Sequence, residues 1–145
     1  MKNHFSRRQF VGATAASAAV AAAFPSILRA QDSQKKITVG VIGLSRGMGH
    51  ALKYIEASNC EVGYLCDVDS RRVASGMNRA KGPLEKVPQT KAPQGIDDFR
   101  RILDDKSIDA VSIAAPNFWH TTMAILAMEA GKLGYVELPG SVNSR

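Results

Sequence analysis

The chain has 145 residues, 45% hydrophobic and 22% charged, which excludes a disordered composition and allows one domain with its own core. Its formal net charge is +6, but Lys2, Arg7, Arg8 and Arg29 all precede Gln31 with no acid among them, and without these four, fifteen basic residues face thirteen acidic ones. The acids are interspersed, as at Asp97, Asp98, Asp104, Asp105 and Asp109. The basic patch that a phosphate backbone requires is absent, so nucleic acid is not an expected partner.

The first thirty residues have the order of an export signal: a charged segment with paired arginines, then residues 12–24 without a charge. The apolar part is Ala-rich and much shorter than the roughly 20 residues that span a bilayer, so no stable membrane anchor is expected. Ser6-Arg7-Arg8-Gln9-Phe10-Val11 resembles the twin-arginine consensus, an address read by the twin-arginine export machinery, and Leu28-Arg29-Ala30 ends on a small residue suited to cleavage. The expected location is periplasmic or otherwise exported. Residues 31–36 read as a polar connector.

The domain expected over residues 37–145 begins with Ile37-Thr-Val-Gly-Val-Ile-Gly43, a β-branched apolar run ending at glycine and read as a buried strand. Residues 48–57 have helical spacing, with Leu52 and Ile55 on one face and Lys53 and Glu56 on the other. Residues 62–67 form a second apolar run stopped by Asp67, and Ser70 is placed to cap a helix through Val73, Ala74 and Met77. Pro83, Pro88 and Pro93 predict a surface loop from Gly82 to Gly95 with at most a brief strand. Asp97 is expected to cap a helix through Phe99, Ile102 and Leu103. A strand follows at 110–114, a helix at 119–130 ending at Gly131, and a last strand at 135–137.

Alternation of strand and helix favours βαβ units: an α/β, Rossmann-type doubly wound parallel sheet. Cys60 and Cys66 flank one strand and would lie roughly 20 Å apart at about 3.3 Å per residue, too far for a disulfide. No His/Cys cluster has zinc spacing, so no metal is expected, and buried apolar thiols are the reading.

Three groups of residues could hold a nucleotide. The turn Gly43-Leu44-Ser45-Arg46-Gly47-Met48-Gly49 has the glycine that a tight turn against a pyrophosphate needs, with the next helix's N-terminus behind it. The strict G-x-G-x-x-G register is not met, because Ser45 and Met48 hold the second and third places; Gly47 and Gly49 could serve in a shifted register, or the turn could simply be tight. Asp67, 24 residues beyond Gly43, is placed to accept hydrogen bonds from the adenosine ribose and to repel a 2′-phosphate, favouring NAD over NADP; the alternative is a helix-entry acid paired with Arg71 or Arg72, which could also lie along the adenine. The third group, residues 114–120, is a strand end, turn and helix start at the carboxyl edge of the sheet. There Asn117 either caps the helix or meets a ligand, His120 either meets a ligand or packs under the sheet, and Trp119 is read as a packing residue.

The order Val39-Gly-Val-Ile-Gly43, Cys66-Asp-Val-Asp69, Asp98-Phe-Arg-Arg-Ile-Leu-Asp-Asp105, Ile108-Asp-Ala-Val111, Ala115-Pro-Asn-Phe-Trp-His120, Ala130-Gly-Lys132 and Tyr135-Val-Glu137 resembles the Gfo/Idh/MocA family, glucose-fructose oxidoreductase and inositol dehydrogenase among them. The resemblance implies an N-terminal Rossmann domain, a larger C-terminal domain over the active site, NAD or NADP as cofactor, and hydride transfer at a hydroxyl carbon of a sugar or cyclitol. It implies a cofactor site lined by Gly43, Arg46, Gly47, Asp67, Pro116, Asn117, His120 and Glu137, and the turn residues Ser45 and Met48 together with Arg71 complete the expected set. Where the family usually has Glu-Lys-Pro, this chain has Glu137-Leu138-Pro139, and leucine has no titratable group to move a proton, so no catalytic residue is assigned. Relatives that use NAD to cleave glycosides also lack that lysine. The substrate domain is expected to be missing, so the chain is read as the nucleotide-binding part of an exported sugar oxidoreductase, a piece of an NAD-dependent glycoside hydrolase, or a non-catalytic relic.

Overall fold

The computed structural model describes residues 36–140. The expected signal peptide, residues 31–35 of the connector and residues 141–145 lie outside this range.

Five strands form one parallel sheet: β1 (Ile37–Ile42), β2 (Cys60–Cys66), β3 (Gln94–Ile96), β4 (Ala110–Ile113) and β5 (Leu133–Val136), in the order β3-β2-β1-β4-β5. The helices between them are α1 (Gly47–Glu56), α2 (Ser70–Lys86), α3 (Arg100–Asp104) and α4 (Asn117–Glu129). The order of strands in the sheet turns at β1, which pairs with β2 on one side and β4 on the other. A crevice at the carboxyl ends of such neighbouring strands is where open α/β sheets bind ligands.

The core lies in two layers because central strands bury both faces. Val39, Val41, Val62 and Leu65 point to the side of α1 and α2, where Met48, Ala51, Ile55 and Ala80 meet them. Ile42, Tyr64, Cys66, Val111 and Ile113 point to the other side, against Ile102 and Leu103 of α3 and Met123 and Ala127 of α4. Val62 and Tyr64 would share a face in a regular strand, yet they enter different layers. A bulge separates them: Val39 pairs with Val62 and Gly40 with Tyr64, leaving Gly63 as an extra residue. A Cβ at Gly63 would lie 2.7 Å from Ile108 Cδ1, so the bulge has no room for a side chain.

Several local expectations are corrected. α2 continues through Gly82 and Pro83 to Lys86, where a loop was expected. A proline inside a helix removes one ladder hydrogen bond, but Gly76 and Ala80 are buried on α2, and Leu84, four residues beyond Ala80, packs against the same layer. Packing decides the length of this helix. Its cap is Asp69 rather than Ser70, since the Arg71 N–H donates to Asp69 Oδ1 at 2.9 Å. α3 starts at Arg100, whose N–H donates to Asp98 Oδ1 at 3.0 Å, so Asp98 and not Asp97 satisfies the helix start. Asn117 is the first residue of α4 and caps nothing with its side chain; Pro116 holds the capping position. The loop before β4 is pinned by Lys132, 6% exposed, whose ammonium donates to the Asp105 and Ile108 carbonyls at 2.6 and 2.8 Å.

Both cysteines are free thiols, half-buried Cys60 at the start of β2 and buried Cys66 at its end. Burial, reinforced by the nearby Asp67, Asp98 and Asp97 carboxylates, pushes the Cys66 thiol up to about 12. At pH 8 its thiolate fraction is on the order of 10⁻⁴. Iodoacetamide at pH 8 is therefore expected to leave Cys66 unmodified in the folded protein and to label it in denaturant, as peptide mass mapping will show.

Candidate functional site

A cleft of about 1200 Å³ opens along the carboxyl ends of β2, β1, β4 and β5. Its floor is the turn after β1. Gly43 has φ +89, a conformation natural to glycine, and its N–H donates to the Cys66 carbonyl at 2.8 Å. A Cβ there would lie 2.5 Å from the Ala114 carbonyl oxygen and 2.8 Å from the Ala115 nitrogen. Gly47, the first residue of α1, is buried, and its Cβ would press on Val41 and Ala114 at 3.1 and 3.2 Å. The two glycines thus divide the labour expected of the motif: one makes the turn, the other lets the helix sit close to the sheet. No side chain caps α1 and its first turn carries no acid, so the positive end of its dipole faces the cleft unneutralised. Ser45 and Arg46 are exposed on the cleft wall.

Asp67, at the end of β2, is fixed by backbone donors. The Leu44 N–H donates to its Oδ2 at 2.8 Å and the Asp69 N–H to its Oδ1 at 3.0 Å. Each carboxylate oxygen keeps a further lone pair, and the residue lines the cleft. Arg71 is not beside it. Its guanidinium is clamped on Asp69, with Nε 3.0 Å from Oδ1 and Nη2 2.9 Å from Oδ2, and this hydrogen-bonded pair holds the Asp69 carboxyl below its usual range. Of the two neighbours Arg71 and Arg72, it is Arg72 that lines the cleft.

The β4 loop closes the other side. Pro116 and Asn117 are exposed at the cleft. His120 touches the cleft but is 1% exposed, and its ring nitrogens lie against backbone carbonyls, Nδ1 2.7 Å from Pro139 O and Nε2 2.8 Å from Ala115 O. The ring ties the start of α4 to the segment after β5, and the Thr121 hydroxyl donates to the Gly140 carbonyl at 2.7 Å beside it. Trp119, expected to pack, is 43% exposed at the mouth of the cleft next to Phe118. Glu137, just past β5, accepts from His50 Nε2 at 2.8 Å and lies 3.6 Å from Arg46 Nη1. Leu138 is 82% exposed on the same wall.

Of the residues expected at a nucleotide site, Gly43, Ser45, Arg46, Asp67, Pro116, Asn117, His120 and Glu137 line one cleft. Met48 does not: its side chain is fully buried in the core, because the third motif place falls on the inner face of α1. Gly47 acts behind the wall, and Arg71 is held by Asp69. Sequence reading missed His50 and Ser112, as well as the wall made by residues 97–100; the one available signal was that His50 lies three residues after Gly47, on the first turn of α1. Among the described residues, no group of three or more His, Cys, Asp or Glu could hold a metal ion, and no helix is long and apolar enough to cross a membrane.

A parallel sheet whose first βα turn is a positive-φ glycine leading into an uncapped helix, with a backbone-fixed carboxylate at the end of the second strand, defines a Rossmann-type dinucleotide-binding domain. Residues 37–143 match the model of the oxidoreductase family with an NAD-binding Rossmann fold, Gfo/Idh/MocA, and the chain belongs to that family. Among its relatives are a glycosyl hydrolase family 109 protein of Stenotrophomonas maltophilia, 34% identical over 130 residues that cover 86% of this chain and 28% of that protein, and an alpha-N-acetylgalactosaminidase of Shewanella oneidensis, 32% identical over 105 residues, 71% and 22%. An NAD-binding protein of Listeria innocua superposes with a TM-score of 0.61 at 27% identity, over 74% of this chain and 28% of that one. Scyllo-inositol dehydrogenase of Lactobacillus casei, solved with NAD(H) and scyllo-inositol, shares the fold with a TM-score of 0.60 at 22% identity, over 75% and 30%. The chain spans about a quarter of the length of the relatives it matches.

The Gly43 turn has no slack. Gly43→Ala is expected to destabilise the fold by about 2–4 kcal/mol, from the strained φ and the contact with the Ala114 carbonyl together, read as a lowered midpoint in urea.

Proposed function

We propose that this domain holds NAD along the cleft so that a longer protein can move a hydride to or from a hydroxyl-bearing carbon of a sugar or cyclitol. The observation that carries the reading is Asp67: a carboxylate locked by two backbone N–H groups, facing the cleft beside a glycine turn with no room for a Cβ. The fit is chemical as well as spatial. Asp67 would accept from the hydroxyls of the adenosine ribose, the first turn of α1 and Arg46 would face the pyrophosphate, and Pro116, Asn117 and Glu137 would border the far half. When bound, NAD supplies a hydride acceptor; the chain's own part is to bind it, orient it and shield one side. An ionised Asp67 disfavours a 2′-phosphate, so NAD is preferred over NADP. Titration of the full chain with NADH and NADPH, followed by nicotinamide fluorescence, is expected to give saturable binding at least about tenfold tighter for NADH. Equal affinities would remove the role given to Asp67, and no saturation would remove the reading.

A second reading has its own support. The curated relatives named above are glycosidases, and Leu138, with no donor or titratable group, stands on the wall where hydride chemistry with net oxidation would use a proton carrier. On this reading the hydride is borrowed and returned while a glycosidic bond breaks. The two readings part in one assay of the full-length parent: release of a chromogenic aglycone without net NADH formation marks the glycosidase, and net NADH formation marks the dehydrogenase.

Export is the third element of the proposal, supported by Ser6-Arg7-Arg8-Gln9-Phe10-Val11 and the uncharged stretch behind it. Twin-arginine export carries folded proteins, which suits a domain that acquires its nucleotide in the cytoplasm. Replacing Arg7 and Arg8 by lysine is expected to retain the protein in the cytoplasmic fraction, and unchanged periplasmic recovery would refute that route.

A further inference from the structure

Glu137 is held from behind by a chain of polar groups that runs out of the core. Ser112, on the central strand β4, is fully buried, and its hydroxyl lies 3.1 Å from His50 Nδ1. His50 Nε2 lies 2.8 Å from Glu137 Oε1. Tyr135 stands edge-on to the imidazole, with centroids 5.4 Å apart and planes at 87°, which fixes the ring plane. The residue types are those of a hydrolase triad, but the order is reversed: the serine is sealed in the sheet and the carboxylate faces the cleft. Ser112 is therefore no nucleophile. A carboxylate oxygen only accepts, so Nε2 donates to Glu137, while Nδ1 and the Ser112 hydroxyl share a hydrogen bond on the other side of the ring. One ring orientation follows, as it does where a buried partner fixes an imidazole.

The arrangement matches Asp67 at the opposite end of the cleft. There two backbone N–H groups anchor the carboxylate, and here one imidazole N–H does. β1 and β4 separate β2 from β5, so the strand ends that carry the two residues stand about 14 Å apart at the usual spacing between strands. The second oxygen of Glu137 faces Arg46, 73% exposed, at 3.6 Å, beyond hydrogen-bond length, and so keeps its capacity to accept from a ligand.

We infer that His50 is a positioning residue: backed by Ser112, it holds Glu137 as a fixed acceptor for the half of a dinucleotide that lies farthest from Asp67. The inference rests on the NAD reading above and adds a residue and an end to it. A donor-bearing group is the ligand chemistry required at Glu137, such as the second ribose or a carboxamide.

Two amide replacements separate the two sides of the imidazole. Asparagine reaches about as far as Nδ1 and keeps the Ser112 contact; glutamine reaches about as far as Nε2 and keeps the donor to Glu137. His50→Asn is expected to weaken NADH binding by the full chain about tenfold, the usual effect of losing a hydrogen bond to a charged group, while ADP, which has one ribose and no second half, binds as before. His50→Gln is expected to restore NADH affinity to within about threefold of the original. Glu137→Gln, with the imidazole intact, should lose NADH and spare ADP in the same way. Equal NADH affinity in His50→Asn and the unaltered chain would overturn the inference, and so would parallel losses of NADH and ADP, which would make His50 a structural residue only. If the unaltered chain binds ADP but not NADH, the far half has no site and the inference falls; if it binds neither, the NAD reading itself has failed. Thermal midpoints of all four proteins are measured alongside, and the titrations are run below the lowest of them.

Discussion

The end of β1 is enclosed on both sides, and the candidate site depends on that enclosure. Gly43 donates its N–H to the end of β2 and sets its Cα against the carbonyl of Ala114 at the end of β4. The next residue, Leu44, donates its N–H to Asp67 and buries its side chain in the core. Turn, carboxylate and β4 loop thus form one backbone-built unit, and side chains at the remaining motif places are released from the requirement. This explains how Ser45 and Met48 can stand where the strict glycine pattern would have other residues. Ser45 faces solvent at the wall, Met48 fills the core, and the geometry the motif exists to produce is made by Gly43 and Gly47.

Charge along the cleft follows from the same construction. Acceptors stand at its two ends, Asp67 and Glu137, each immobilised by N–H donors from the protein, while the uncapped start of α1 with Arg46 lies between them. An acceptor fixed before a ligand arrives loses little freedom on binding, so such sites discriminate by position rather than by adjustment. Leu138, exposed beside Glu137, gives the far end an apolar rim, and a proton moved there has to be carried by another group.

Strand positions and the two-layer fold were legible because buried parallel strands are short runs of apolar residues, and such runs at 37–43, 62–67 and 110–114 have few other uses. The residues lining the cleft were legible for a related reason: open α/β sheets form crevices at strand ends, and Asp67 and Glu137 directly follow β2 and β5 while Pro116 and Asn117 stand in the turn after β4. What escaped were features decided by tertiary contact. Pro83 is a local signal to stop a helix, and only the layer that receives Leu84 overrides it. The acids that accept from the helix starts, Asp69 and Asp98, differ by one residue from the Ser70 and Asp97 that were read, since adjacent polar residues compete for one N–H, while Asn117 falls inside α4 because Pro116, which has no side-chain acceptor, holds the capping place. His50, Ser112 and Glu137 are 62 and 25 residues apart in sequence, and no periodicity within one element brings them together.

The bulge at Gly63 bears on how the strand end at such a site is held. Beyond it, Tyr64, Leu65 and Cys66 are paired on both sides, to Gly40–Ile42 and to Gln94–Ile96, so the register of the strand end that carries Asp67 is set twice over. Before it, Cys60, Glu61 and Val62 pair in register with Ile37, Thr38 and Val39, so Gly63 itself is the one residue the ladder does not use. The irregularity in β2 thus lies on the side of the strand away from the cleft, and the three residues that lead into Asp67 keep an unbroken ladder. The single unpaired residue, Gly63, marks the point at which the strand's faces change over before the regular ladder that ends at the cleft.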